Sequence, residues 1–569
     1  MNTIWNQKYL VCGQGLTGSA LIASIPILLL LFLLGVRRKP AWQAGLAGLA
    51  TTVVLAVAAY GMSVRHTVSS AAYGAAFGIF PITWIIFWAI TLYRVTVETG
   101  KFEILKHSVE TITRDRRLQV LLIAFAFGAF LEGGAGFGTP VAVAAAMMTG
   151  LGFSPLYASA ICLLANTVPV AFGAIGIPVV TLAGITGLPL DRVSADVGRI
   201  CAPVSFIVPA YLIGVAEGRS AVREVWPALL VCGGTFSGVQ YIVSNYVGAP
   251  LTDILSSLLA MTALIMLLRF WHPPAPRGTQ RGGGMLRRKG FEHIEETGNQ
   301  SKIQPDATAI ALMQEEKTRW IREVAFAWLP YILLVIFVLA WGYKPVQHLL
   351  DMVTTSIRWP WLHNEIRRMP PVVEKPSAYA ALFKLNWLSA AGTSCMLATL
   401  LSAPILRMRL RTFLLLLISV SRQLFLPTVT VTAVLAMAFV MNYCGATGTL
   451  GLAFAATGAM FPFFSSLLGW LGVFLTGSDT SANALFGSLQ VVTAGKLGFG
   501  AALMAASNSA GGVMGKMISL QTIAVAAAAT GLSTTDQAKL FRFALRHSLF
   551  LASVIGLEVL FYAYVVRMN

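Results

Sequence analysis

Three ionisable residues stand inside stretches otherwise too apolar to hold a charge: Glu132, Asp479 and Lys516. A charged side chain at membrane depth costs ~2.5–3.5 kcal/mol on insertion scales, so each needs a partner or a task. Burial disfavours the charged form of a carboxyl. Either acid is therefore a candidate to bind and release a proton, and Lys516 is a candidate to hold an anion as a point charge. A purely structural Glu- or Asp-to-Lys pair is the plainer alternative. The two are compatible, because a pair can open when a substrate anion competes for the lysine. Histidine is the usual proton relay, but His66, His107, His272, His293, His348, His363 and His547 all fall in loops or at the ends of apolar runs. The carboxylates are the better candidates.

The acids lie in glycine-rich settings. Around Glu132 the chain reads Gly128-Ala-Phe-Leu-Glu-Gly133-Gly134-Ala-Gly136-Phe-Gly138-Thr139-Pro140. So many glycines followed by a proline disfavour a regular helix, yet apolar runs flank the motif on both sides. Irregular backbone at membrane depth survives only where protein or a water-lined cavity satisfies it. A re-entrant hairpin or a broken helix is expected; close helix packing through small residues is the alternative. Around Asp479 the chain reads Gly472-Val-Phe-Leu-Thr476-Gly477-Ser478-Asp479-Thr480-Ser481-Ala-Asn483. Hydroxyls, amides and helix N-termini at such a tip suit a small carboxylate, whereas a polar loop at the membrane interface is the bland reading. Farther on, Asn166-Thr167-Val-Pro169 and Asn508-Ser509-Ala-Gly511-Gly512 are expected to interrupt later helices. Discontinuous helices in corresponding places of two halves point to a midplane binding site.

The halves do correspond. The motif at Gly128 returns at Gly472, an offset of 344 residues; Gly152-Phe153 returns at Gly498-Phe499, an offset of 346; Asn166-Thr167 returns as Asn508-Ser509, an offset of 342. Three matches in order at nearly one offset indicate an internal duplication. Charge sets its sense. Lys101, Lys106, Arg114, Arg116 and Arg117 precede the first motif and mark a cytoplasmic approach. The segment 443–464 before the second motif has no Lys or Arg, and Arg407, Arg409 and Arg411 place the chain inside one crossing earlier. With 412–426 taken as interfacial, the second motif is entered from outside. The repeats are then inverted, a recurrent carrier architecture.

The elements that must position these residues are membrane helices. The chain of 569 residues is 56% hydrophobic and only 11% charged, where soluble domains carry about 25% charged residues. Apolar runs from 19–36 to 544–566 allow roughly 12 to 14 crossings or part-crossings. The fold expected is an all-α polytopic membrane protein of two inverted repeats with re-entrant or broken helices. A first membrane half occupies 1–271, a basic cytoplasmic linker 272–320 and a second membrane half 321–569. A polar stretch from 342 to 384 is expected at the extracytoplasmic interface. The net charge of +18 does not signal nucleic acid, since the basic residues sit in short loops between apolar runs, as cytoplasmic loops do. Six scattered cysteines show no metal spacing and read as small core residues. The charges at Arg37 to Lys39 follow the first apolar run rather than precede it, so 19–36 reads as an uncleaved helix with its N-terminus outside. An intramembrane enzyme would need paired Tyr-Asp and Gly-x-Gly-Asp motifs or a mid-run Ser and His pair, and neither is present.

The stretches GAFLEGGAGFGTPVAVAAAMMTGLGF (128–153), ANTVPVAFGAIGIPV (165–179), GVFLTGSDTSANALFGSLQ (472–490) and SNSAGGVMGKMISLQTIAVA (507–526) resemble the bacterial lactate permease family. The resemblance extends over most of the chain. It implies a symporter of the cytoplasmic membrane that takes up L-lactate, D-lactate or glycolate with protons. It also implies a scaffold with a moving unit of two hairpins. No cofactor is expected beyond the coupling ion, with the proton favoured over sodium. The expected partners are a 2-hydroxy monocarboxylate and the lipid bilayer. A sodium-coupled di- or tricarboxylate carrier of similar architecture is the competing expectation.

Overall fold

The computed structural model describes residues 4–11, 13, 15–136, 138–274 and 307–568; for 307–317 and Thr534 it describes the backbone alone. The expected linker 272–320 therefore lies largely outside the described residues. Among the described residues, twelve helices are long and apolar enough to cross a bilayer, and the pair Pro155–Ala165 and Val170–Thr186, bent by 66° at its break, makes a thirteenth if it counts as one span.

Two of these long helices each turn back into a second, antiparallel arm. The helix Arg116–Gly134 reverses over residues 135–138 into the helix Thr139–Gly150. Its open ends lie together, because the Arg116 guanidinium donates to the Gly152 carbonyl at 3.0 Å. This is the first hairpin. The second pairs Phe461–Thr476 with Asp479–Leu497 across a turn at Gly477, whose φ of +73° favours glycine. Near its mouth the Ser465 hydroxyl donates to the Gln490 amide oxygen at 2.8 Å, and the Gln490 amide donates to the Ser465 carbonyl at 3.0 Å.

The hairpins open to opposite sides. On the inner side, Arg407 and Arg409 line one cavity with Glu98 and Thr99, just before Lys101 and the first hairpin. From there Leu410–Cys444 runs as one unbroken helix of 35 residues. On the outer side, the Gln7 amide donates to the carbonyls of Asn442 and Tyr443 at 2.8 and 2.9 Å, and Trp5–Asn6 pairs in parallel with Ile366–Arg367. Residues 412–426 are thus not a separate segment but the first part of the same helix as 427–444. Its outward side carries Leu414, Leu415, Ile418, Phe425 and Leu426 together with Arg422 and Gln423. Because 412–426 and 427–444 share one helix and add no second crossing, the inverted sense of the two motifs stands. At 1.5 Å per residue such a helix is about 52 Å long, more than the hydrocarbon core needs, so it tilts or projects.

The stretch 342–384 forms an outer cover: a short helix Lys344–Asp351, and strands of which Thr355–Arg358 pairs antiparallel with Leu382–Leu385. Two helices are interrupted at depth. Ser154 caps the first by accepting from the Tyr157 amide, and the chain breaks over Asn166–Pro169. Three successive residues, Ala174, Ile175 and Gly176, then adopt left-handed backbone, a conformation that costs of order 1–3 kcal/mol for each non-glycine and persists only where packing demands it. The second, Ala501–Lys516, breaks over Met517–Ser519 before Leu520–Thr530, which Ser519 caps by accepting from Thr522.

The glycine expectations need two corrections. Gly133 and Gly134 lie inside the helix, and the reversal falls after them. Gly511 and Gly512 lie within the unbroken helix Ala501–Lys516. A continuous helix keeps its backbone hydrogen bonds where water is absent, and the glycines serve close approach instead. A Cβ on Gly511 would lie 2.0 Å from the Ser466 carbonyl oxygen, and one on Gly133 would lie 3.0 Å from Asp253 Cβ.

Candidate functional site

The two breaks and the two hairpin tips converge. Lys516 is the last residue of Ala501–Lys516, where the helix macrodipole favours a cation. Its Nζ lies 3.6 Å from Glu132 Oε1, so a base from the second half pairs with an acid from the first. The other oxygen of Glu132 accepts from the Asn166 amide at 2.9 Å, which brings in the first helix break. Glu132 is 3% exposed and Lys516 8%, so the pair is buried. Gly173 leaves it room: a Cβ there would lie 2.8 Å from Glu132 Oε1.

Asp479 opens the second arm of its hairpin, in a first helical turn that favours an anion. Its Oδ2 accepts from the Ser509 hydroxyl at 2.6 Å and the Asn483 amide at 3.1 Å, while Oδ1 has no hydrogen-bond partner among the described residues. Asn483 also donates to the Pro178 carbonyl at 3.2 Å, another contact between the halves. Asn508 donates to Asn483 Oδ1 at 2.9 Å and accepts from Gln490 at 3.1 Å. A Cβ on Gly512 would lie 2.4 Å from the free Asp479 oxygen. Lys516 acts electrostatically on Asp479 as well as on Glu132. One cation therefore faces two acids beside a band of amides and hydroxyls.

The remaining expected residues sit at the tips but turn elsewhere. The Thr167 hydroxyl donates to the Leu164 carbonyl at 2.7 Å, and that of Thr476 to the Gly472 carbonyl at 2.7 Å. Ser478 accepts from the Ser481 amide as the helix cap. Thr139 and Thr480 are half-buried in first helical turns. Pro140 occupies a first turn where its missing N–H costs nothing, and Pro169 ends the first break. Gly136 and Gly138 supply the positive φ of the first tip, as Gly477 does at the second.

Sequence reasoning missed Gln490, Ser465 and Ser507, whose side chains continue the polar band behind Asn508. It also missed Asp253, 1% exposed and packed on Gly133. Its signal was present: it is the one acid in the apolar run 225–271.

A buried lysine shared between acids, enclosed by oppositely opening hairpins and broken helices, defines a multi-pass membrane transporter. The chain belongs to the L-lactate permease family, whose family profile matches residues 19–566. Its relatives include the glycolate permease GlcA of Escherichia coli K12, 41% identical over 99% of this chain and 98% of that protein. The L-lactate permease of Salmonella typhimurium LT2 is also 41% identical, over 99% of this chain and 98% of that one. The L-lactate permease of Bacillus subtilis 168 is 43% identical over 96% of each chain. A solved structure, the Alcanivorax borkumensis YdaH transporter, aligns over 81% of this chain and 87% of its own at 12% identity and a TM-score of 0.30, too distant to bear on the site. The protein is a permease, not an enzyme, and a multi-pass protein of the bacterial inner membrane.

Proposed function

We propose that the protein imports lactate, and glycolate or related 2-hydroxy monocarboxylates, by proton symport. The observation that carries this reading is the buried Lys516–Glu132 pair that joins the first and second parts of the chain. A monocarboxylate competes with Glu132 for Lys516, while its hydroxyl finds partners among Asn483, Asn508 and Ser509. The displaced Glu132 has lost its cation in a low-dielectric site, and taking up a proton removes that penalty. Asp479, with one oxygen free, is a second place for a proton. The names of the relatives support lactate and glycolate as the substrate class. The coupling follows from charge: moving a monoanion against a negative interior costs about 2.3 kcal/mol per 100 mV, which one accompanying proton cancels.

The test is uptake of radiolabelled L-lactate into proteoliposomes, under an inward proton gradient or an inward sodium gradient. D-lactate, glycolate, acetate and succinate serve as competitors. Proton-driven accumulation blocked by the hydroxy acids but not by succinate is expected. Sodium-driven uptake of succinate with no lactate accumulation would overturn the reading.

A further inference from the structure

Asp253 has both carboxylate oxygens buried and, among the described residues, without a hydrogen-bond partner. It stands in the first turn of the helix Thr252–Phe270, which reaches the centre behind the first hairpin. Two close approaches place it there. A Cβ on Gly133, the residue after Glu132, would lie 3.0 Å from Asp253 Cβ, and one on Gly176 in the left-handed break would lie 2.9 Å from Ala249 Cβ. Any larger residue at Gly133 would push Asp253 away from the tip. The titratable groups facing it can be named element by element. Glu132 acts on it from the hairpin, Cys201 lies within electrostatic range on the helix Leu190–Ala216, and Tyr331 borders Gly134 from the helix Ala307–Gly342. The neighbouring Trp226–Tyr246 carries no acid or basic residue on any face. No cation is paired with Asp253 among the described residues.

A buried carboxylate with neither cation nor donor, beside a second carboxylate, is the least tolerable arrangement of charge in a protein interior. It is relieved when one acid carries a proton. We propose that Asp253 is the second half of a proton-carrying carboxyl pair with Glu132, an inference that rests on the proton-symport reading above. With the site empty, Lys516 is positive, Glu132 negative and Asp253 neutral, so these three sum to zero. When a substrate anion takes Lys516, the Asp253 hydroxyl passes its proton through intervening water to a Glu132 oxygen, since the two acids make no direct hydrogen bond, and the Asp253 carboxylate takes a new proton from that water. Lysine, anion and two neutral acids again sum to zero, with one proton gained per anion bound. Release of the anion to the inside reverses both transfers and returns Glu132 to Lys516. Glu132 alone would have to meet water while beside the substrate; Asp253 gives the proton a separate position behind the hairpin.

The experiment uses the whole protein in proteoliposomes, comparing wild type with Asp253→Asn in two assays. One is exchange of external labelled for internal unlabelled L-lactate at equal pH. The other is accumulation driven by a pH gradient. At one proton per anion, one pH unit supports about tenfold accumulation. Asp253→Asn is expected to retain exchange while its accumulation ratio falls to near unity. Wild-type accumulation in the variant overturns the proposal, and so does loss of exchange together with accumulation in protein that is folded. If Asp253→Asn is not recovered folded, Asp253→Glu substitutes. It should still accumulate lactate with a displaced pH dependence, and an unchanged pH profile overturns the pair. The wild-type arm separates the two readings. Wild type that ignores the pH gradient defeats proton symport as a whole, whereas wild type that responds equally with the variant defeats Asp253 alone.

Discussion

Replacing Lys516 by alanine removes the one cation that the substrate carboxylate and Glu132 are proposed to share. At 3.6 Å and an effective dielectric of ~20, two unit charges attract by roughly 4–5 kcal/mol before desolvation is counted. Truncating one member of a buried, hydrogen-bonded charge pair costs about 2–5 kcal/mol in practice. Taking ~2–4 kcal/mol for the anion's share, apparent affinity falls roughly 30- to 1,000-fold. The assay is the initial rate of labelled L-lactate entry into proteoliposomes across a wide substrate range, read as KM. The alanine variant also strands Glu132, leaving the Asn166 amide as its described donor, so lost folding could imitate lost binding. The double variant Lys516→Ala with Glu132→Gln removes both charges and restores a neutral interior. It should recover thermal stability while KM stays high. Glu132→Gln alone frees the lysine, so its KM should hold or fall. A near-wild-type KM in the double variant would refute the reasoning and make the pair structural.

Two further outcomes are expected. Gly511→Ala puts a methyl 2.0 Å from the Ser466 carbonyl oxygen in the closest helix approach of the second half; overpacking of this kind costs ~1–3 kcal/mol or more, so the yield of folded protein and its Tm should drop, and an unchanged Tm would mean these helices sit farther apart. Cysteine placed at Arg114 should react with a membrane-impermeant maleimide only from the cytoplasmic side, and at Glu374 only from the outside, since both positions are exposed and the five described native cysteines are buried; labelling of both from one side would refute the inverted arrangement of the hairpins.

Which features were legible in the sequence follows from the range of the forces involved. Crossings are local: a run of apolar residues buries itself in lipid whatever its neighbours do, so helices such as Leu16–Gly35 could be read directly. The duplication and its inverted sense were readable because basic loops such as Arg114–Arg117 and Arg407–Arg411 report sidedness without any contact. Glu132, Asp479 and Lys516 were legible because a charge in an apolar run is expensive. The breaks were legible only in part: the interruption at Asn166–Pro169 was readable, but not which glycines stay inside a helix. Gly133 and Gly511 look like helix breakers in isolation, yet unbroken helices keep every backbone hydrogen bond where no water can replace it, and the missing side chains admit Asp253 and Ser466. The extent of the 35-residue helix Leu410–Cys444 was hidden for a similar reason, since its first half faces outward and only the packing around it shows a single pass.

The amino-acid sequence by itself determined the membrane fold and singled out three charges within its apolar runs, because each depends on composition or spacing along the chain. Only the tertiary structure decided which acid holds Lys516, that Asn166 and Ser509 turn to different carboxylates, and that Asp253 joins them. Those choices rest on approaches of a few ångströms between segments hundreds of residues apart, and nothing in the order of residues states which side chains a fold will bring within reach.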